Sequence, residues 1–250
     1  MSGYRNAVAA RTVRALRAVR TMPAPVTSAL IVLCCLVFVI SPASGLTPFY
    51  GKGDALLLAQ RSYFQRWGVI PAELFSGAPR AALTPATALF VHGGWVHLLG
   101  NMLFLHVFGA MTEERMGRAR FTLFYLGCGY LALLGYAGAH AGSGQPLVGA
   151  SGAISAVLGA FLYLFPRARV TSLFPFLFFL PLRLPAWVVL PFWAALQWLA
   201  ARQAGQGPGV AYLAHVIGFG LGFAYAWARY GRPTRVKVTP APAPEGENQP

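Results

Sequence analysis

Residues 121–166 read FTLFYLGCGYLALLGYAGAHAGSGQPLVGASGAISAVLGAFLYLFP, 46 consecutive positions without Asp, Glu, Lys or Arg. A membrane-spanning helix needs about 20 predominantly apolar residues. The run is long enough for two, and Gly142-Ser143-Gly144 marks a turn between them. Charge-free runs of 31, 32, 18 and 26 residues lie at 21–51, 81–112, 184–201 and 203–228. Across all 250 residues, 10% are charged and 56% hydrophobic, where a soluble domain carries about 25% charged residues. Mean hydropathy is +0.55. This composition excludes a sizeable soluble domain. The expected fold class is all-α, a polytopic membrane protein built as a bundle of six transmembrane helices.

The six spans are expected at about 26–41, 97–111, 121–139, 151–165, 184–201 and 210–228. Pro42 closes the first, Glu113-Glu114-Arg115 stops the second and Pro166-Arg167 ends the fourth. Pro185 suits the first turn of the fifth. The fourth is short for a lipid-exposed helix, so neighbours should surround it. Residues 1–24 form a basic arm free of acids, and 25–230 the six-helix domain. Residues 231–250 are a Pro/Ala/Glu-rich tail expected to be disordered. The long external loop at 42–95 carries apolar stretches at 55–59 and 64–75 that suit docking on the membrane surface.

A net charge of +14 would suit nucleic acid, but its placement excludes that partner. The basic residues sit in short clusters beside the apolar runs, where they set topology. With the N-terminus inside, fifteen Arg and Lys fall on the inner side. Lys52, Arg61, Arg66, Arg80 and Arg202 fall on the outer side. That asymmetry places both termini in the cytoplasm, and the expected location is a bacterial plasma membrane. The Arg-rich start also fits a mitochondrial presequence; the simpler reading is a cytoplasmic arm that enforces orientation. Cys34, Cys35 and Cys128 all lie inside apolar segments and read as small hydrophobes.

Polar side chains inside lipid are costly and mark functional positions. The candidates are His97, Asn101 and His106 in the second span, Ser151 and Ser155 in the fourth, and His215 in the sixth. His97 and Asn101 share one helix face by their i, i+4 spacing. The second, fourth and sixth spans all run from outside to inside. Ser151 stands at the outer start of its span, and His215 lies roughly 7–8 Å below the start of its own at 1.5 Å per residue. His97, Asn101, Ser151 and His215 therefore converge at one shallow depth. His106 is about 13–14 Å below His97, too deep to join them.

Gly149-Ala150-Ser151-Gly152 lets the backbone come close and points a hydroxyl into a cavity. It also offers N–H groups at a helix N-terminus for a developing oxyanion. Taken alone, the match equally fits a tight helix crossing. His215 shares its face with Gly218 and Gly222, a small-residue stripe that matches Ser151, Ser155 and Gly159 on the fourth span. Packing the two stripes together brings Ser151 and His215 near each other. The six acids are Asp54, Glu73, Glu113, Glu114, Glu245 and Glu247. None lies within the membrane, which makes the arrangement a Ser/His dyad with His215 as general base and then general acid.

Three motifs resemble those of the rhomboid family of intramembrane serine proteases. They are His92-Gly93-Gly94-Trp95-Val96-His97-Leu98-Leu99-Gly100-Asn101-Met102, then Gly149-Ala150-Ser151-Gly152, then Ala214-His215 followed by Gly218 and Gly222. Glu113-Glu114-Arg115-Met116-Gly117 is a lesser one, and the match covers roughly 26–230. The resemblance implies a six-helix core that cleaves membrane-anchored proteins. It makes Ser151 the nucleophile and His215 the base, and puts His97 and Asn101 on the oxyanion side. It also makes His92 the external-loop histidine near the site, sets Gly149 and Gly152 beside the nucleophile, and casts Gly218 and Gly222 as packing glycines. Two positions depart from the pattern. Ser155 stands where bacterial relatives often carry an aromatic stacked on the base, and Leu83-Thr84 replaces a common Trp-Arg pair.

The function read from these residues is a serine endopeptidase that cleaves transmembrane substrates near the outer membrane face. Its partners are those substrates and the bilayer, and it uses no cofactor and no metal. The rivals are a catalytically inactive rhomboid-like binder of membrane proteins, a transporter lined by the polar cluster, and a metalloprotease. The last lacks a His-Glu-x-x-His motif.

Overall fold

The computed structural model describes residues 24–174, 180–203 and 210–231. The basic arm up to residue 23 and the tail from residue 232 lie outside the described residues. A helix occupies each of the six segments in which a span was expected. α1 (Pro25–Ile40) leads into the long loop, which holds α2 (Asp54–Trp67), α3 (Pro71–Leu74) and α4 (Pro79–Ala88). α5 (Trp95–Met116), α6 (Arg118–Ala139), α7 (Ser151–Leu164), α8 (Ala186–Gln203) and α9 (Tyr212–Tyr230) follow. α5 and α6, each of 22 residues, are long and apolar enough to cross a membrane, while α1 and α7 are shorter apolar helices.

The all-α expectation needs one correction. Strands Arg169–Phe174 (β1) and Leu180–Pro185 (β2) form an antiparallel hairpin, with Arg169 opposite Pro185 and Phe174 opposite Leu180. Among the described residues the protein is thus mostly helical, with one antiparallel pair of strands. Proline supplies the reason: positions 175, 181 and 185 cannot donate to a helical ladder, while a two-stranded ribbon leaves each strand a free edge that tolerates proline. Pro185 accordingly ends β2, and α8 starts one residue later than a helix with Pro185 inside its first turn would allow.

α5 is α-helical over Trp95–Phe104, π-helical over Leu105–Gly109 and α-helical again over Ala110–Met116. Its far end holds α1 in place. The Glu113 carboxylate, only 2% exposed, accepts the Val26 N–H at 3.0 Å and the Thr27 N–H at 2.7 Å. No side chain from α1 itself caps these donors. A carboxylate at this position satisfies two orphan N–H groups and meets the positive end of the helix dipole.

α7 is buried from Gly152 through Phe161, as its shortness required. α9 packs on it more extensively than any other pair of helices meets. Between helices in lipid, close approach of small residues replaces the hydrophobic driving force. A Cβ at Gly218 would overlap the carbonyl of Gly152, one at Gly222 that of Ala156, and one at Gly159 that of Phe219. The crossing is therefore closed to any larger side chain at those three positions.

The long loop is ordered by hydrogen bonds to its neighbours. Val69 and Leu147 exchange a pair of backbone bonds at 2.9 and 2.8 Å, and the Gly149 N–H reaches the Ala88 carbonyl at 2.9 Å. Leu83-Thr84 does not tie the loop across; Leu83 is exposed, and the Thr84 hydroxyl reaches only Ala81. The longer-range ties come from the Arg80 guanidinium to the Arg66 carbonyl, Thr87 to the Trp67 carbonyl and the Tyr130 hydroxyl to the Ala82 carbonyl.

Candidate active site

Ser151 is the first residue of α7, and the turn before it is fixed by Gly149 at φ +125°. That backbone region suits glycine. A Cβ at Gly149 would also stand 2.7 Å from His97 Nε2 and 3.7 Å from Ser151 Oγ, so the glycine lets the imidazole lie against the chain beside the serine. No side chain caps the start of α7, and its first-turn N–H groups keep their partial positive charge. Gly152 brings α7 against Ala132 of α6 as well as α9.

A cavity of about 1350 Å³ opens between α5, α7, α8 and α9. Ser151, His215, His97 and Asn101 all line it. His92, Gly149 and Gly152 do not; they stand behind the lining. Gly218 and Gly222 sit in the helix crossing already described. No hydrogen bond joins Ser151 to His215. His106 falls in the π-helical turn, exposed on the outer surface of the protein and away from the cavity.

His97 Nδ1 accepts a long hydrogen bond, 3.4 Å, from the Gly93 N–H. In a neutral imidazole only one nitrogen carries hydrogen, so the proton is left on Nε2, the atom against Gly149. Asn101, one turn further along α5, is buried and its Nδ2 has no partner in the protein. Both side chains thus carry a donor that the fold itself does not consume. His92, 1% exposed, packs edge-on to His97 with ring centroids 5.3 Å apart. Its Nδ1 lies 3.3 Å from the Phe90 carbonyl and its Nε2 is unpartnered. Burial, helped by the neighbouring His97, pushes the His92 imidazole down to about 4, which keeps it neutral.

His215 is held from α8. Its Nδ1 is 2.8 Å from Gln197 Oε1, and the Trp193 ring stacks on it at 6.2 Å with 26° between planes. Tyr212, a turn earlier on α9, meets the ring edge-on at 6.3 Å. Ser155 does not touch the imidazole as an aromatic at that position would. Its hydroxyl turns back to the Ser151 carbonyl at 2.6 Å, and its Cβ stands 3.3 Å from where a Cβ of Gly218 would be. Stacking is supplied by another helix instead.

Trp193 and Gln197 were not among the residues singled out from the sequence. A signal existed: Gln197 is the one amide, hydroxyl or ionisable side chain in the charge-free run 184–201. The rule applied to buried histidines and serines covers it equally. Nothing comparable marks Trp193, since tryptophan is at home in any apolar segment. Among the described residues, no group of three or more His, Cys, Asp or Glu side chains is placed to hold a metal ion.

Comparison with known proteins bears on residues 80–232, which match the Rhomboid domain model. The chain is 37% identical over 142 residues to Rhomboid protein 1, mitochondrial, of Saccharomyces cerevisiae, covering 55% of this chain and 39% of that one. It is 40% identical over 77 residues to Rhomboid protease GluP of Bacillus subtilis, covering 31% of this chain and 15% of the relative. It is also 38% identical over 64 residues to Rhomboid-like protein 11, chloroplastic, of Arabidopsis thaliana, covering 26% and 22%. The alignments span well under half the length of each of these relatives. The domain match takes in more than half of this chain and every residue lining the cavity from α5 to α9, and on that ground the chain belongs to the rhomboid family of integral membrane proteins.

Proposed function

We propose that this protein is an intramembrane serine endopeptidase that cuts transmembrane protein substrates through a Ser151/His215 dyad. The observation that carries the reading is the shared cavity, which brings a helix-terminal serine, a held histidine and two unspent donors together. Ser151 Oγ attacks the scissile carbonyl carbon as His215 Nε2 takes the hydroxyl proton. The carbonyl oxygen becomes an oxyanion facing the Ser151 N–H, His97 Nε2–H and Asn101 Nδ2–H. Collapse breaks the C–N bond, and His215 passes its proton to the leaving amine. Water, deprotonated by His215, then releases the acyl group from Ser151. This chemistry calls on no cofactor.

The six helices are read as six spans, with residues 25–230 as the protease domain between a basic arm and a polar tail. Both termini face the cytoplasm, and the cavity opens at the outer face. A bacterial plasma membrane is the proposed location. The names of two relatives place those proteins in the mitochondrion and the chloroplast.

The rival reading is an inactive rhomboid-like binder. The missing Ser151–His215 hydrogen bond does not favour it, because catalytic hydrogen bonds are often long before substrate arrives. Labelling with a serine-directed fluorophosphonate separates the two readings. Wild-type protein should label and folded Ser151→Ala protein should not. Equal labelling of the two, or none of either, would remove the protease assignment.

A further inference from the structure

α8 presents two side chains, one helical turn apart, to a single imidazole. Trp193 covers the ring face, and Gln197 Oε1 meets its edge at Nδ1, 2.8 Å away. We propose that Gln197 is a positioning residue for His215, accepting the Nδ1 hydrogen so that the lone pair stands on Nε2 and faces the Ser151 hydroxyl. The inference rests on the reading of His215 as the base.

A neutral imidazole has one N–H and one lone pair, and a partner at one nitrogen decides the role of the other. A serine hydroxyl can be deprotonated only by the lone pair. An acceptor at Nδ1 therefore sets the tautomer the reaction needs. Serine hydrolases commonly use a carboxylate there, but a carboxylate within a bilayer is costly. Among the described residues, no Asp or Glu lines this cavity. The amide oxygen supplies the acceptor without the charge.

Stacking alone cannot do this. Trp193 fixes the plane of the ring, but a half-turn about Cβ–Cγ keeps that plane while exchanging Nδ1 with Cδ2 and Nε2 with Cε1, and stacking leaves the tautomer open. Only a directional bond at the edge selects the flip state and the nitrogen that carries the hydrogen. Ser155, hydrogen-bonded to its own helix, gives His215 no such contact. The orientation of the base therefore depends on α8.

The test uses the full chain, purified in detergent, with a model transmembrane substrate and the fluorophosphonate probe. Gln197→Leu should lower kcat at least about tenfold, a part of the 10²–10⁴ a positioned base contributes, with KM changed less than about twofold. Fluorophosphonate labelling should slow in parallel. Gln197→Glu, which keeps an acceptor at the same reach, should recover most of the lost kcat. In ¹⁵N-histidine NMR, His215 should show a protonated Nδ1 in the wild type and a mixture of tautomers in Gln197→Leu. The inference is overturned by an unprotonated wild-type Nδ1, by unchanged kcat in folded Gln197→Leu, or by Gln197→Glu no better than Gln197→Leu. If Gln197→Leu does not fold, the wild-type spectrum and Gln197→Glu still decide. Failure of the protease reading looks different: wild-type protein would neither label nor cleave, whatever the tautomer.

Discussion

His97 lies so close over Gly149 that a Cβ at that glycine would come within 2.7 Å of its Nε2. The same glycine holds φ at +125°. Gly149→Ala therefore meets two obstacles, a backbone region that costs about 1–3 kcal/mol for other residues and a collision with the proposed oxyanion donor. The expected outcome is a loss of kcat of at least about 10²-fold, the typical effect of one missing donor, in protein that still folds. Cleavage at the wild-type rate would show that His97 can move aside without consequence.

Ser151→Ala and His215→Ala should each abolish cleavage, and the double variant should be no slower than either. Residues acting as one unit lose their joint contribution once. Single-turnover cleavage of a model substrate by the three variants checks this. Independent, multiplying losses would reduce His215 to a packing residue between α8 and α9.

The helical segments were legible because charge-free runs and basic clusters carry the signal of bilayer partition, a property of single segments. The convergence of four residues was argued from 1.5 Å of rise per residue, and those four line one cavity; their depth in the bilayer is part of the proposal. Rotation about each helix axis is a different quantity, fixed by how neighbours pack. Nothing in the spacing of Gln197 and His215 says that α8 and α9 turn these residues toward each other. For the same reason Ser155 showed only that an aromatic is missing from the helix that carries the nucleophile, and not that Trp193 of α8 stacks on His215 instead. The hairpin was less legible: Leu180, Leu182 and Leu184 alternate with Pro181, Arg183 and Pro185 along β2, but β1 shows no such alternation and each strand is only six residues long.

His92 should make stability depend on pH. Its folded value is pushed from 6.5 down to about 4 by burial. Above pH 6.5 neither state is protonated there and the residue contributes nothing. As pH falls from 6.5 to 4, the unfolded chain takes up a proton that the folded chain refuses. Stability is lost across that window, by up to about 3 kcal/mol at 1.36 kcal/mol per unit. Unfolding midpoints in detergent micelles should therefore fall less steeply between pH 6.5 and 4 for His92→Leu than for wild type. Parallel curves would mean that His92 is hydrated in solution.

Glu113 predicts an effect on stability with the catalytic residues untouched. Its removal strands the N–H groups of Val26 and Thr27 at the start of α1, and each unsatisfied buried donor costs about 1–3 kcal/mol. Glu113→Ala should be destabilised by roughly 2–4 kcal/mol in SDS-induced unfolding. Glu113→Gln, with one acceptor oxygen, should fall between it and wild type. If Glu113→Ala unfolds with wild type, water reaches this end of α1 and the carboxylate is dispensable.

The last prediction concerns sidedness, on which the whole placement of the cavity turns. α6 rises about 33 Å over its 22 residues, enough to cross a hydrocarbon core of about 30 Å. Arg118 and Ala141, both exposed, therefore stand at opposite faces. In the proposed topology the excess of Arg and Lys beside Arg118 puts that end in the cytoplasm. Ser151 follows Ala141 through a short connection and would share its face, so that water for hydrolysis of the proposed acyl-enzyme would enter from outside. In a background with Cys34, Cys35 and Cys128 replaced, Ala141→Cys should react with a membrane-impermeant thiol reagent added to intact cells. Arg118→Cys should react only after the cells are broken. The opposite pattern would put Ser151 at the inner face, and substrates would then have to be cut on the cytoplasmic side.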